Sequence, residues 1–253
     1  MNDLVSVIMP SFNTGQFIGE TIESVLAQSY SNWELLIVDD CSTDDTDRIV
    51  ARYLKDSRIR YFKNEANCGT AVSRNRALRE AKGKWIAFLD SDDLWEPDKL
   101  TRQIAFMASN RYHFSYTNYI EIDENSLPNG KSITGPKCVT KHRMYNYCWM
   151  GCLTVMFDAE EVGLIQIEDI RKNNDYAMWL KICKKANCYL LDETLGKYRV
   201  RRGSISNQKY VKLIKWHYKL FREAEKKNPV ASFLLMSRNL FFGVIKKIKY
   251  VKR

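Results

Sequence analysis

Two clusters of carboxylates stand out in the sequence, each closing an apolar run. Asp39, Asp40, Asp44 and Asp45 follow Trp33 to Val38, and Asp90, Asp92 and Asp93 follow Trp85 to Leu89. Like charges this close repel unless a cation or a proton lies among them. For Asp90, Asp92 and Asp93, a divalent cation with oxygen ligands, Mg2+ or Mn2+, bridging to phosphate resolves the repulsion. The same acids also suit a solvated turn with an Asp capping the next helix. An isolated Asp-x-Asp-Asp does not choose between the two, so the surrounding elements must.

Acids act together only if the chain delivers them to one place. Leu4 to Met9, Trp33 to Val38, Arg58 to Phe62 and Trp85 to Leu89 are apolar runs of strand length. Between them, Phe17, Ile18, Ile22, Val25 and Leu26 recur at helical spacing, as do Ala71, Val72, Ala77, Leu78 and Ala81. Ser42 or Thr43 is placed to cap the helix after the second strand, and Pro97 to start the one after the fourth. Alternating strand and helix predicts a parallel α/β half of roughly a hundred residues. The loops Pro10 to Gly15, Asp39 to Thr46 and Asp90 to Asp93 then share the carboxyl edge of the sheet, where open α/β folds bind ligands.

The rest of the chain is less regular. Phe114 to Asp123, Gly151 to Phe157 and Tyr189 to Leu195 read as strands, Asn125 to Gly130 as a turn, and Tyr176 to Cys183 as a helix. Thr134 to Cys148 has no clear period, and Tyr198 to Ser204 is a basic loop. Two helical stretches separated by Asn228-Pro229 close the chain. The second sets Phe233, Leu234, Leu235, Leu240, Phe241, Phe242, Val244, Ile245 and Ile248 beside Arg238, Lys246, Lys247, Lys249, Lys252 and Arg253. An apolar face flanked by Lys and Arg is the composition of an interfacial helix, although a packed helix with a solvated basic face has it too.

Composition narrows the setting. The 253 residues are 45% hydrophobic, enough for a substantial core, and carry a formal charge of +10. That charge, dense after Lys209, suggests an anionic surface as partner. With no nucleic-acid-binding signature, membrane is favoured over RNA or DNA. Seven cysteines without a Cys-x-x-Cys pair argue against a disulfide scaffold or zinc site and for a reduced, cytosolic compartment. Residues 1–10 do not resemble a signal peptide, and no apolar run is long enough to span a bilayer.

Read together, Val5 to Asn13, Val38 to Asp44 and Phe88 to Asp93 closely resemble family 2 glycosyltransferases of the GT-A fold. Ala71-Val72-Ser73-Arg74-Asn75 is similar to the segment between that family's second and third motifs, and Asn174-Asp175-Tyr176 with Trp179-Leu180 to its later Glu-Asp-Tyr-x-x-Trp-Leu. Gly151 to Met156 and Tyr198 to Ser206 resemble bacterial teichuronic acid, capsule and O-antigen polysaccharide enzymes in particular. The likeness runs from about residue 4 to residue 206, over five motifs in order.

The resemblance implies an α/β GT-A fold: a Rossmann-like nucleotide-sugar-binding half over 1–108 with a central, mostly parallel sheet, and an acceptor-binding half over 109–207. A basic helical tail over 208–253 follows. It implies that Asp40 reads the uracil ring of a UDP-sugar, with a helix cap as the other reading. Pro10, Ser11 and Asn13 would lie against base and ribose. Arg74 would hold the nucleotide, Asp92 would sit beside the ribose and Asp93 would ligate the metal, Mn2+ or Mg2+. Asp175 falls on the general base, with a helix N-cap as its other role. Asn174 stands where the family has Glu. Arg201 or Arg202 stands where many members have His, to bind diphosphate or to face solvent. The Gln-x-x-Arg-Trp segment of processive synthases is absent, so single-sugar transfer, hexosyl or N-acetylhexosaminyl, is expected.

The expected activity is thus inverting and metal-dependent, from a nucleotide-sugar to a glycan acceptor, polyprenyl-diphosphate-linked, by a protein peripheral at the inner face of the membrane. Against a nucleotidyltransferase or phosphatase stands the absence of a Gly-rich pyrophosphate loop with a following Lys. A catalytically silent nucleotide-sugar-binding or scaffold protein is the alternative of a different class.

Overall fold

A computed structural model describes residues 3–170, 172–201 and 210–252. The first half alternates β1 (Val5–Ser11), α1 (Ile18–Leu26), β2 (Trp33–Asp39), α2 (Thr46–Val50), β3 (Ile59–Lys63), α3 (Thr70–Glu80) and β4 (Trp85–Phe88). The four strands pair in parallel in the order β3-β2-β1-β4. Parallel strands covered on both faces must be apolar on both, and every residue of β1 and β2 is buried. Val5, Val7 and Met9 point into a core with Ile18, Ile22 and Leu100, whereas Ile8 points into a second core with Phe88, Leu78 and Trp179. That alternation sets α1 and α3 on opposite faces of the sheet.

Beyond β4 the chain adds β5 (Leu94–Trp95), α4 (Lys99–Asn110), β6 (Phe114–Ile122), β7 (Pro128–Ile133), β8 (Cys138–Val139) and α5 (Lys141–Asn146). Next come β9 (Met156–Asp158), α6 (Ala159–Val162), α7 (Asn174–Ile182) and β10 (Cys188–Arg199). The described residues close with α8 (Tyr210–Lys219), a π-helical turn over Leu220–Ala224, α9 (Pro229–Lys249) and β11 (Val251–Lys252). The sheet extends β4-β9-β6-β7-β11 through antiparallel pairs, and β10 runs parallel to β6.

The structure revises several expected elements. Gly151 to Phe157 is not one strand: Thr154 returns both its amide and its hydroxyl to the Gly151 carbonyl, closing a 3-10 turn before β9. Ser42 does not cap α2, because its amide and hydroxyl both go to the Asp39 carboxylate. Lys99, not Pro97, is the first residue of α4. The expected turn over Asn125 to Gly130 ends early, since β7 begins at Pro128. At the tail, the Asn228 side chain accepts from the Ala231 amide and Pro229 opens α9, as their residue types require. All seven cysteines are free.

Candidate active site

Hydrogen bonds lace the three carboxyl-edge loops together. The Ser11 hydroxyl meets that of Thr14 at 2.9 Å, and Thr14 Oγ1 donates to Ser91 Oγ at 3.0 Å, joining the first loop to the third. Asn13, with φ of 50°, donates its amide to Ser42 Oγ and accepts from the Thr43 amide, joining the first loop to the second. Pro10, at the carboxyl end of β1, lies opposite Val38. Asp44 ties in the next turn by accepting from the Gly15 amide at 2.8 Å and from Thr46. The three loops expected at the carboxyl edge are thus held against one another.

Asp40 is buried and already engaged. Its carboxylate accepts from Asn64 Nδ2 at 2.8 Å and from the amides of Cys68 at 3.0 Å and Gly69 at 2.7 Å. It therefore anchors the 64–69 loop rather than capping α2, and of about four acceptor positions one stays unused. Gly69 needs its φ of 90° to present that amide and start α3. Beside this turn lies a crevice of about 390 Å³ lined by Asn67, Cys68, Gly69, Thr70, Asp169 and Asn174, among others.

Arg74 links the two halves. From α3 its guanidinium pairs with Asp90, in the loop after β4, and donates to Asn174 Oδ1 at 3.0 Å. Burial works against its charge, but Asp90, Cys152 and Asp175 together outweigh that and hold its pKa above the usual value. Asn174, where the family has Glu, is thus the partner of a buried arginine. Its neighbour Asp175 lies in the first turn of α7, half-buried, and accepts from the Tyr176 amide at 2.8 Å.

The acids after β4 divide by environment. Asp93 is 1% exposed and accepts from the Arg199 amide at 2.8 Å. Burial and the charges of Asp92 and Asp90 push its carboxyl well above the ordinary carboxylate range. Asp92 is also pushed up by burial, with Arg201 opposing and Asp90 adding to the effect. Arg201 Nε lies 2.6 Å from Asp92 Oδ2, a contact that leaves its other guanidinium N–H groups to meet a further anion. Arg202 lies outside the described residues. Accumulated negative charge on oxygen donors fits Mg2+ or Mn2+. Among the described residues no three His, Cys, Asp or Glu side chains converge as a metal cage.

Sequence reasoning missed Arg199. At the end of β10 its fully buried guanidinium reaches the Asp92 carbonyl at 2.7 Å, Glu20 Oε2 at 2.7 Å and Ser126 Oγ at 2.8 Å, while its amide holds Asp93. Nothing in its spacing separates it from Arg201 and Arg202; only the β10–β6 pairing selects it.

Residues 6–154 match the family model "Glycosyl transferase family 2". A Bacillus subtilis protein named as the teichuronic acid biosynthesis glycosyltransferase TuaG is 44% identical, covering 88% of this chain and 89% of its own. An Escherichia coli protein named as the UDP-Glc:alpha-D-GlcNAc-diphosphoundecaprenol beta-1,3-glucosyltransferase WfgD is 39% identical, covering 96% and 94%. Staphylococcus aureus TarS, solved over its residues 1–349 with UDP-GlcNAc, superposes with a TM-score of 0.74 at 22% identity over 93% of this chain and 71% of its own. That last likeness is one of fold, and it matches the α/β arrangement of sheet and helices described above. With a family model over more than half of the chain and relatives of this identity and coverage, the chain belongs to glycosyl transferase family 2.

Proposed function

We propose that this protein transfers one sugar, hexosyl or N-acetylhexosaminyl, from a UDP-sugar to a polyprenyl-diphosphate-linked glycan acceptor in bacterial surface polysaccharide synthesis. The transfer inverts the anomeric carbon and depends on a divalent metal. The observation that carries this reading is Arg74, whose single side chain joins Asp90 of the acid loop to Asn174, the residue before Asp175. A donor held at the acid loop and an acceptor hydroxyl at Asp175 would therefore meet. The substrates named for WfgD and the ligand solved with TarS support a UDP-sugar donor, and those named for WfgD support a lipid diphosphate acceptor.

In this reading Pro10, Ser11 and Asn13 bound the nucleoside pocket, and the unused acceptor position of Asp40 takes the uracil N–H. Asp175 removes the proton from the acceptor hydroxyl, which is a poor nucleophile until it is deprotonated. The hydroxyl oxygen attacks the anomeric carbon opposite the departing diphosphate, and configuration inverts. Asp93, with Asp92 beside it, would hold Mn2+ or Mg2+, whose chemistry there is to neutralise charge growing on the diphosphate. Arg201 would exchange Asp92 for the diphosphate as donor binds.

The setting is the inner membrane face. No helix among the described residues is long and apolar enough to cross a bilayer. The outer face of α9 instead exposes Val230, Phe233, Leu234, Phe241, Val244 and Ile248, each between 57% and 79% exposed. All six fall within roughly 100° of the helix circumference, with exposed Arg238, Lys247 and Lys249 at the margins. That pattern suits an anionic lipid surface.

Calorimetric titration with UDP, GDP, CDP and dTDP, with and without Mn2+, tests the donor assignment. UDP alone should bind, and only with the metal; Asp93→Ala should lose that binding. Asp175→Asn should bind UDP normally while transfer falls by about 10²–10⁴-fold. A variant that still transfers at the wild-type rate removes Asp175 as base, and wild-type binding without any turnover would favour a silent binding protein.

A further inference from the structure

The inner face of α9 carries a cation that the donor site does not use. Lys246 is half-buried; its Nζ donates to the Cys148 carbonyl at 3.4 Å and lies 5.4 Å from the centre of the Tyr147 ring. An ammonium has three protons to donate, and a long bond to one carbonyl leaves most of that capacity unspent. Tyr147 is locked in place by the helix itself: a Cβ on Gly243 would stand 3.0 Å from its ring. Among the described residues no carboxylate pairs with Lys246. Burial works against its charged form, with Cys148 and then Asp175 opposing that effect.

Its place on the helix matters as much as its charge. Lys246 lies roughly 165° around the axis from the centre of the exposed apolar stripe, and a helix is about 10–12 Å across with its side chains. With the stripe at the acyl boundary, Lys246 sits near headgroup height, on the same face of α9 as Asn239, whose side chain bonds Tyr176, the residue after the candidate base. A lipid-linked acceptor has its diphosphate at that level and its sugar one residue farther from the membrane.

We propose that Lys246 binds the diphosphate of the acceptor, so that α9 docks the protein on lipid with one face and positions the acceptor's sugar at Asp175 with the other. This rests on the lipid-diphosphate acceptor argued above and assigns it a residue. Lys246 acts here as a binding and positioning group and takes no part in proton transfer.

The test is calorimetric binding of a short-chain alkyl diphosphate to the full chain saturated with UDP and Mn2+, with the alcohol of the same chain as control. Wild type should bind the diphosphate and not the alcohol. Lys246→Met, which keeps the stem over Tyr147, should weaken binding by about ten- to a hundredfold with UDP affinity unchanged, and Lys246→Arg should restore most of it. Equal diphosphate affinity in wild type and Lys246→Met, or no binding to wild type, overturns the assignment. Wild type that binds the diphosphate through Lys246 yet transfers no sugar would leave this site standing and refute the transferase reading instead.

Discussion

Asn239 of α9 donates a 2.7 Å hydrogen bond to the hydroxyl of Tyr176, the residue that follows Asp175. Tyr176 in turn donates to the Met144 carbonyl at 2.6 Å, and all of this is buried. The tail is therefore tied to the helix that carries the candidate base, through a chain from α9 to α7 to α5. Asn239→Ala should cost about 1–2 kcal/mol of stability in urea unfolding, the usual loss for one buried hydrogen bond. Turnover should fall further than UDP affinity does. If Asn239→Ala and Tyr176→Phe combine additively, the two residues are not coupled.

Arg199 holds the acid loop from beneath, with its charge balanced by Glu20 and its other donors on backbone carbonyls and Ser126. Arg199→Met leaves those acceptors unmatched in a buried place and should destabilise by about 3 kcal/mol. It should also weaken metal-dependent UDP binding, because the Asp92–Asp93 turn loses its support. Unfolding midpoints and calorimetry check the two effects separately.

Lys99 makes the opposite case. It is fully buried at the start of α4, its Nζ has no hydrogen-bond partner among the described residues, and it lies 3.9 Å over the Trp95 ring. Burial pushes its pKa down to about 7, against about 10.4 in the unfolded chain. Between those values the unfolded state binds the extra proton, so this group makes stability rise with pH across that window. Lys99→Met should stabilise by about 2–4 kcal/mol at pH 7, less whatever the indole contact returns, and the gain should fade towards pH 10. Parallel unfolding curves for both proteins at every pH would contradict this.

The outer stripe of α9 offers a clean test of membrane contact, since its residues are largely exposed and, among the described residues, the only ring that Phe241 contacts is that of Phe242, edge-on. Replacing Phe241 and Ile248 together by Ser should leave the unfolding midpoint nearly unchanged, as exposed sites usually do. Binding to vesicles containing anionic lipid should drop by at least tenfold, because each side chain forfeits apolar burial worth about 1–3 kcal/mol when complete. Unaltered vesicle binding would assign the stripe to something other than lipid.

Apolar runs that end in acids, helical spacing between them and the cap at Asn228-Pro229 are local signals, and they set the parallel half, its carboxyl-edge loops and the start of α9 without reference to distant residues. The sequence by itself also brought Asp40, Arg74, Asp92, Asp93 and Asp175 forward as candidates. What it could not determine is who touches whom. That Asp40 ties down residues 64–69, that Asn174 receives Arg74, and that Arg201 pairs with Asp92 are contacts between elements 24 to 109 positions apart. Arg199 and Lys246 are one basic residue among many until a sheet register buries the first and the inner face of a helix turns the second towards Cys148 and Tyr147. Burial is decided by the packed whole, so the charges that matter most were selected only in three dimensions.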